Sequence, residues 1–256
     1  MRWQFQFTGV NTGKYNMDYD LQSARKIIED ETIVRFYRWE PYCISLGANQ
    51  DESSVDYSAA GKDNIDIVKR PTGGRAILHA DEITYSVSTF INSETSAREI
   101  YHSINQALIE GLKIFDSRLS SVEMETAQPD FQQFYKQDVS TLCFAVPAKS
   151  ELKFKGKKLA GSAQRKLGKS LLQHGSLLCG PEHKKIVRYL HLENESLKKM
   201  EEELDHHTTD LKEILGEVID YDELVNCLVE GFVRHYQIED FQTDEAIQKL
   251  QRLNIT

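Results

Sequence analysis

Apolar and polar residues follow helical and strand spacing in turn along the first half of the chain. Apolar residues recur at helical spacing in MDYDLQSARKIIEDE, just after Asn16, a residue type that caps helices, so the sequence predicts a helix beginning there. The segments TIVRFYRWEPYCISLG, IDIVKRP and ITYSVSTF are rich in β-branched and aromatic residues and predict strands, the first of them broken in two at Pro41. Apolar residues three and four apart in SAREIYHSINQALIEGLKIF predict a second helix.

The second half begins with a predicted hairpin and ends in helices. SELKFKG alternates polar and apolar residues, GK forms the turn, and KLAGSAQRK returns as the partner strand, before a further strand in GKSLLQHGSLLCG. From Pro181 onward the apolar spacing is helical. Strands followed by helices favour an α+β fold. Since no internal repeat or low-complexity linker interrupts the chain, we expect a single domain over residues 1–256.

Size and composition are those of an ordinary globular protein. The chain has 256 residues, enough for one large domain, and its 40% apolar and 28% charged residues indicate neither disorder nor a coiled-coil rod. No window approaches the ~18 consecutive apolar residues that a membrane-spanning helix needs. The first residues lack the pattern of a secretory signal. We therefore expect a cytoplasmic protein with no membrane partner.

The four cysteines lie far apart and form no CxxC pair. A structural zinc site or a disulfide framework is therefore not expected, and we predict no metal. Cys43, Cys179 and Cys227 lie in apolar runs and are interpreted as core residues.

Charge is unevenly distributed. The segment 182–256 holds 18 acidic and 9 basic residues, whereas Lys149–Lys169 carries eight basic residues against the single acidic residue Glu151. Such a patch suits an acidic partner or an anionic ligand, or it is the solvated edge of a hairpin. Few aromatic residues interleave with these charges, so a nucleic-acid partner is not favoured.

Two short segments of small residues carry candidate chemistry. PTGGRAILH places Gly73 and Gly74 after a predicted strand and Arg75 directly behind them, and GKKLAGSAQRK places small residues from Ala160 to Ala163 behind two lysines. Neither segment fits a Walker A loop or the GxGxxG fingerprint. The glycine pair is either a plain turn or, like the second segment, a place where a slender ligand lies against bare backbone N–H groups.

Cys143 and Lys158 form a second candidate pair. They lie fifteen residues apart, and Lys158 stands near the turn of the predicted hairpin. A nearby ammonium lowers the pKa of a thiol and so favours the nucleophilic thiolate. The alternative is a core cysteine and an unrelated surface lysine.

Taken together, these segments resemble a known family. RPTGGRAILHADEITYSVS and GKKLAGSAQRK, with FYRWEPYCISLGANQ and GKYNMDYDLQSAR, are similar in order and spacing to the catalytic domain shared by biotin protein ligases, lipoate protein ligases and lipoyl or octanoyl transferases. The resemblance covers roughly residues 9–180 and implies a mixed β-sheet covered by helices, of the class II synthetase-like type. An acidic helical part, 181–256, follows that core.

Cys143 and its surroundings, CFAVPAKSEL, resemble the cysteine-dependent octanoyltransferases of the LipM type within this family. This resemblance implies that Cys143 is the acyl-thioester nucleophile and that Lys158 lowers its pKa. The donor would be octanoyl-acyl carrier protein, and the acceptor a lysine of a lipoyl domain or of glycine cleavage protein H. Ligases usually show a third glycine where this chain has Arg75, so we expect no ATP or Mg²⁺.

We predict a substrate site around this pair. Its candidate binding residues are Arg70, Gly73, Gly74, Arg75, His79, Gly161 and Ser162. Backbone N–H groups near Gly161 and Ser162, or near Cys143 itself, would hold the tetrahedral oxyanion. His79 is equally well explained as a hydrogen-bonded structural residue. His174 is interpreted as structural, and no role is assigned to Asp81 or Glu82.

Three alternative functions stay open. An ATP-dependent lipoate ligase would use ATP and Mg²⁺ and would be indifferent to Cys143. An amidotransferase would move the acyl group between two lipoylated proteins with the same cysteine. A binding module without catalysis would have no need to retain both Cys143 and Lys158.

Overall fold

A computed structural model of the chain describes residues 1–92, 95–125 and 151–253. The described α-helices are α1 Gly13–Lys26, α2 Tyr57–Lys62, α3 Ala97–Phe115, α4 Asn194–His207, α5 Leu211–Leu215, α6 Tyr221–Tyr236 and α7 Glu245–Leu253. The described strands are β1 Arg2–Asn11, β2 Glu31–Trp39, β3 Cys43–Leu46, β4 Asp66–Lys69, β5 Ile77–His79, β6 Glu82–Phe90, β7 Val122–Met124, β8 Leu152–Phe154, β9 Lys157–Leu167, β10 Ser170–Leu178 and β11 Phe241–Thr243. Short 3₁₀ helices occupy Glu52–Ser54, Ser117–Ser121 and Pro181–Tyr189.

The strands form two sheets. In the described residues, eight strands make a main sheet in the order β11-β1-β2-β6-β10-β9-β8-β7, and three make a small sheet in the order β4-β3-β5. β1 runs parallel to β2 and β11, whereas β6 is antiparallel to both β2 and β10. The main sheet is therefore mixed, and with its helices it confirms the predicted α+β class.

Helix α3 covers one side of the main sheet together with α6. Ser96 caps α3 through a capping box with Glu99, which satisfies the first backbone N–H groups of the helix. Gly111 on α3 and Gly231 on α6 let the two helices approach closely, since a Cβ on Gly231 would lie 2.3 Å from the backbone nitrogen of Gly111. The resulting core joins both helices to the sheet.

The prediction that the first helix begins at Asn16 is wrong. α1 begins at Gly13, and the side chain of Thr12 accepts a hydrogen bond from the backbone of Tyr15. Asn16 lies inside the helix, is fully buried, and donates its side-chain amide to the carbonyls of Asn11 and Arg38. The side chain of Asn16 therefore makes tertiary hydrogen bonds and does not cap the helix.

The acidic segment after residue 181 packs onto the same sheet. α6 lies against α3, and β11, which the helical pattern did not predict, extends the main sheet by pairing with β1. Three residues are too few to show strand periodicity in a sequence. Within the described ranges, no helix has both the length and the apolar character needed to cross a bilayer.

The two sides of the main sheet differ in polarity. On β6, Ile83, Tyr85 and Val87 belong to the apolar core under α3 and α6, whereas the residues that alternate with them, such as Thr84 and Ser86, are polar and equally buried. Successive side chains of a strand point to opposite faces. A buried polar face requires internal hydrogen-bond partners, and it marks the side of the sheet on which the candidate site lies.

Candidate active site

A cavity with about 470 Å³ of empty space, which includes solvent at its mouth, lies on the polar side of the main sheet. One part of its wall is aromatic and aliphatic and the other part is polar or backbone. Its lining residues are Met17, Tyr37, Trp39, Arg70, Ile77, His79, Thr84, Glu151, Lys158, Gly161, Ser162, Ala163, His174, Gly175 and Ser176.

Lys158 lines this cavity from the start of β9. Its side chain is only 3% exposed, and Nζ donates to Oε1 of Glu151 across 2.6 Å. Opposite β8, the β9 ladder contains one extra residue, since Leu152 pairs with Ala160 while Lys153 pairs with Lys158. Bulges of this kind re-aim side chains and are common beside active sites. The alternative of an unrelated surface lysine is therefore wrong for Lys158.

Asp20 on α1 is fully buried beside the cavity and is surrounded by donors. Arg35 Nη1 and the Tyr37 hydroxyl each donate to it across 2.8 Å, and the Ser86 hydroxyl donates across 2.7 Å. Burial by itself would raise the pKa of Asp20, but the hydrogen bond from His174 and the charge of Arg35 outweigh it, so the pKa lies below its ordinary value. The ionised carboxylate ties α1 to the polar side of the sheet.

His174 on β10 connects this network to the glycine segment. Its Nδ1 lies 3.4 Å from Asp20 Oδ2, and its Nε2 lies 2.6 Å from Thr72 Oγ1. Burial lowers the pKa of His174, with partial compensation from Asp20, so the neutral ring is favoured. These contacts support the interpretation of a structural histidine, whose ring also forms part of the cavity wall.

His79 on β5 belongs to a second buried network. Its Nδ1 lies 2.8 Å from Glu82 Oε1 and its Nε2 lies 2.8 Å from Ser45 Oγ, while its ring stacks on Trp39 with centroids 4.0 Å apart. Both alternatives left open by the sequence therefore hold, because His79 is hydrogen-bonded and also lines the cavity. Glu82, for which sequence reasoning assigned no role, accepts a further hydrogen bond from Ser176 across 2.8 Å.

Arg70 binds backbone carbonyls beside the cavity. Its guanidinium donates to the carbonyls of Ser45 across 2.8 Å, Gly73 across 2.9 Å and Arg75 across 2.7 Å. Arg70 thereby fixes the glycine loop against β3 while lining the cavity itself.

The glycine loop lies next to the cavity and not in its wall. Gly73 and Gly74 are exposed and Arg75 is partly buried, and none of the three is a lining residue. Gly74 has φ 99°, a conformation that favours glycine, and its carbonyl oxygen lies 2.0 Å from where a Cβ on Gly47 would stand. These observations favour the turn reading for the loop, and contact of its three residues with substrate stays a prediction.

Gly161 and Ser162 lie on β9 in the cavity wall and pair with Ser176 and Gly175 of β10. A Cβ on Gly175 would lie 2.6 Å from the Gly161 carbonyl oxygen, so this strand pairing excludes any side chain there. The hydroxyl oxygens of Ser162 and Tyr85 are 2.6 Å apart on the apolar side of the sheet. An oxyanion role would therefore fall to backbone N–H groups, and it stays a prediction.

The proposed nucleophile Cys143 lies outside the described residues. The three described cysteines do not compete for its role, because burial raises the pKa of each thiol, that of Cys227 to about 11. Cys43 and Cys179 are buried as expected, whereas Cys227 is only partly buried on α6.

The predicted basic patch is smaller in the structure than in the sequence. Lys153 pairs with Glu125, Lys157 with Glu213 and Lys158 with Glu151. Glu213 belongs to the acidic C-terminal part, which folds back beside the hairpin. Arg165, Lys166 and Lys169 are exposed, and Lys149 lies outside the described residues. Part of the positive charge is therefore neutralised internally.

Sequence reasoning found five of the cavity residues and missed the others. Lys158, Arg70, His79, Gly161 and Ser162 do come together, although they are distant in the chain. The missed set includes Glu151, Trp39, Thr84, Gly175 and Ser176. For the residues on β6 and β10, the available signal is the alternation of polar with apolar residues in ITYSVS and the run of polar residues at the centre of LLQHGSLL, in strands buried on both faces. Among the described residues, no group of three or more His, Cys, Asp or Glu side chains could hold a metal ion.

Fold and cavity together define an α+β domain with a narrow, partly apolar ligand slot and a buried lysine at its wall. The lipoyl protein ligase A/B catalytic domain matches residues 12–233. The chain therefore belongs to this family, as its sequence motifs predicted.

Relatives named octanoyltransferase LipM match nearly the whole chain. The protein from Staphylococcus aureus is 32% identical over 246 residues, which cover 93% of this chain and 88% of the relative. The protein from Staphylococcus epidermidis is 31% identical over 264 residues, covering 98% and 94%. The protein from Lysinibacillus sphaericus is 28% identical over 250 residues, covering 93% and 88%.

Solved structures share the fold. A putative lipoate protein ligase from T. acidophilum with bound lipoic acid superposes with a TM-score of 0.73 at 21% identity, covering 99% of this chain and 94% of its own. A bipartite lipoate protein ligase studied with its E2 lipoyl domain, from Thermoplasma acidophilum, gives a TM-score of 0.73 at 20% identity, covering 99% and 91%. At this level of identity the likeness supports the α+β architecture alone.

Proposed function

We propose that this protein is an octanoyltransferase of lipoate biosynthesis that works through a thioester on Cys143. The assignment as an octanoyltransferase is confirmed by relatives of that name that match nearly the full length of the chain. The thioester route, the donor and the acceptor are the parts that we infer from the residues.

The cavity that places Lys158 at the wall of a narrow, partly apolar slot carries the proposal. An octanoyl chain would bury about seven methylene and methyl groups, each contributing about 0.8 kcal/mol when removed from water. Trp39, Met17 and Ile77 supply apolar wall for such a chain. The lysine supplies positive charge for a reacting carbonyl or thiolate.

In the first step, the Cys143 thiolate attacks the thioester carbonyl of octanoyl-acyl carrier protein. A C–S bond to Cys143 forms, the C–S bond to the carrier's thiol breaks, and that thiol leaves as a thiolate that takes up a proton. The exchange of one thioester for another is near neutral in free energy. The ammonium of Lys158 favours the thiolate form of the nucleophile.

In the second step, the ε-amine of an acceptor lysine attacks the octanoyl-enzyme. An amide C–N bond forms, the C–S bond to Cys143 breaks, and the proton lost from the amine restores the thiol. The acceptor is a lipoyl domain or glycine cleavage protein H. Since an amide is more stable than a thioester, the transfer is downhill, and the reaction needs neither ATP nor Mg²⁺.

Incubation with octanoyl-acyl carrier protein tests the proposal. Intact mass spectrometry of the wild type should show a gain of one octanoyl group that hydroxylamine removes, and Cys143→Ala should show no gain. Cys227→Ala is the matched control, because it removes a partly buried thiol on α6 and should label like the wild type. An unlabelled wild type, or a Cys143→Ala variant that still labels at a thiol, would refute the thioester route.

The same assay separates the two catalytic alternatives. Activity that requires free octanoate or lipoate with Mg-ATP, and that survives Cys143→Ala, would identify a ligase. Transfer from octanoyl-protein H that is faster than transfer from octanoyl-acyl carrier protein would identify an amidotransferase.

A further inference from the structure

Glu151 lies in the cavity wall beside Lys158, and no sequence motif pointed to it. The two side chains are 5% and 3% exposed, and Lys158 Nζ lies 2.6 Å from Glu151 Oε1. This distance is short for a charge-assisted N–H···O hydrogen bond. The carboxylate therefore determines where the ammonium lies in the cavity wall.

The backbones of both residues are held by neighbouring segments. The Lys158 carbonyl accepts a hydrogen bond from the Thr209 backbone across 3.0 Å, and the Glu151 carbonyl accepts one from the Glu125 backbone across 2.8 Å. Lys158 also forms an isolated bridge with Thr208. With both main chains held, the hydrogen bond to Glu151 helps to fix the ammonium end of the four-carbon lysine side chain.

Two other lysines of the same hairpin show what is particular about this pair. Lys153 pairs with Glu125 and Lys157 with Glu213, but neither of these pairs lines the cavity. A buried ion pair is weak evidence for stability, since desolvation offsets most of the attraction between the charges. The location of the Lys158 pair in the wall of the candidate cavity, beside its apolar residues, therefore indicates a role in function.

We propose that Glu151 is a positioning residue for acyl transfer, holding the Lys158 ammonium in register with the reacting group. The inference rests on the proposed function. Glu151 needs no contact with the acyl group in this role, because it acts through the lysine. Its loss displaces the ammonium, and a displacement of about 1 Å near a reacting centre can lower a rate ~100-fold.

The experiment measures octanoyl transfer from carrier protein to a lipoyl domain with graded substitutions at residue 151. Glu151→Gln keeps the shape and removes the charge, and kcat should fall about 100-fold with KM for the donor little changed. Glu151→Asp keeps the charge but shortens the reach, and its kcat should be intermediate. Glu213→Gln, which breaks the half-exposed Lys157 pair outside the cavity, should stay within about twofold of the wild type.

A double-mutant cycle separates positioning from a general structural effect. In a Lys158→Met background, Glu151→Gln should lower kcat by no more than about twofold further, since its partner is already absent. Circular dichroism and thermal melting establish that each variant is folded. If Glu151→Gln does not fold, Glu151→Asp decides the matter, an intermediate kcat supporting the proposal and a wild-type kcat overturning it.

Two results would overturn the inference while leaving the proposed function intact. One is a folded Glu151→Gln variant with wild-type kcat. The other is an equal loss of kcat from Glu151→Gln in the wild-type and Lys158→Met backgrounds. A wild-type protein that transfers no octanoyl group would instead defeat the proposed function, and this inference with it.

Discussion

The two sides of the main sheet are built on different physical principles. Under α3 and α6, Phe36 and Phe232 are completely buried among apolar neighbours, whereas on the other side Arg35, Asp20 and Ser86 are equally buried but joined by hydrogen bonds. The side chains are equally buried on both sides, but they are apolar on one side and hydrogen-bonded polar groups on the other. The apolar side holds the largest hydrophobic cluster of the described residues, and the polar side fixes the direction of groups around a cavity.

This difference explains how charged side chains can stay buried around the cavity. Asp20 on α1 is joined by hydrogen bonds to Arg35, Tyr37, Ser86 and His174 on three strands, so this part of the cavity wall is a connected network. The apolar side tolerates changes of shape better than changes of volume, whereas the polar side is sensitive to the loss of a single partner.

The largest expected effect on stability comes from the apolar side. Phe232→Ala removes a ring that is 0% exposed and lies 6.2 Å from Phe5 and 6.4 Å from Phe36, measured between ring centroids. We expect a loss of about 4 kcal/mol in the free energy of unfolding, measured by urea denaturation, because a large cavity remains. At temperatures where the variant is folded, its kcat should equal that of the wild type.

Val218→Ala is the control for this comparison, since Val218 is 83% exposed. It should change stability by about 0.5 kcal/mol or less. A Phe232→Ala variant that keeps wild-type stability, or one that loses kcat while folded, would show that the two sides are not separate in function.

Lowering the pH should reduce the free energy of unfolding through buried titratable groups and not through the apolar side of the sheet. Burial lowers the pKa of His183 to about 4 from an ordinary value near 6.5, so the unfolded chain binds the extra proton between these values. The contribution of neutral His183 to the free energy of unfolding is therefore fully present above pH 6.5 and is lost as the pH falls. Between pH 7 and pH 5 this one residue should cost roughly 2 kcal/mol of stability. The lowered pKa of His174 acts in the same direction.

Urea denaturation of wild type, Phe232→Ala and His183→Gln at the two pH values measures this effect. Phe232→Ala should lose as much stability between pH 7 and pH 5 as the wild type does, while His183→Gln should lose about 2 kcal/mol less. An unchanged pH dependence in His183→Gln would contradict the assignment of the effect to this ring.

The smallest expected effect is that of one hydrogen bond on the polar side. Ser86→Ala removes the hydroxyl that donates to Asp20 across 2.7 Å and should lower the free energy of unfolding by about 1 kcal/mol. Combined with Phe232→Ala, the two losses should add, because the two side chains lie on opposite faces of the sheet. A clearly non-additive double variant would refute the independence of the two sides.

Much of the fold could be predicted from the sequence because its elements are strongly patterned. The strands broken at Pro41 are β2 and β3, the hairpin turn lies between β8 and β9, and the long amphipathic segment is α3. The start of α1 was predicted wrongly because the side chain of Asn16 makes tertiary hydrogen bonds and does not cap the helix. Strand β11 was missed because it has only three residues.

Less of the candidate site could be predicted, because its residues come from five strands, one helix and two loops. Lys158 was found through its motif, but its partner Glu151 was not, since a single acidic residue in a basic hairpin has no distinctive local pattern. Glu82 and His174 were undervalued for the same reason. Ser176, which donates to Glu82, and Asp20, which lies beside His174, are distant from them in the chain.

The sequence by itself determined the family, the α+β class and the motif that contains Lys158, because periodicity and motif spacing are local properties of the chain. Only the tertiary structure decided that Lys158 is buried against Glu151 and that the glycine loop lies beside the cavity and not in its wall. It also decided that two lysines of the basic hairpin, Lys153 and Lys157, pair with acidic residues from elsewhere in the chain. Those outcomes depend on which distant side chains share a face of the sheet, and strand register and packing, not local pattern, fix that arrangement.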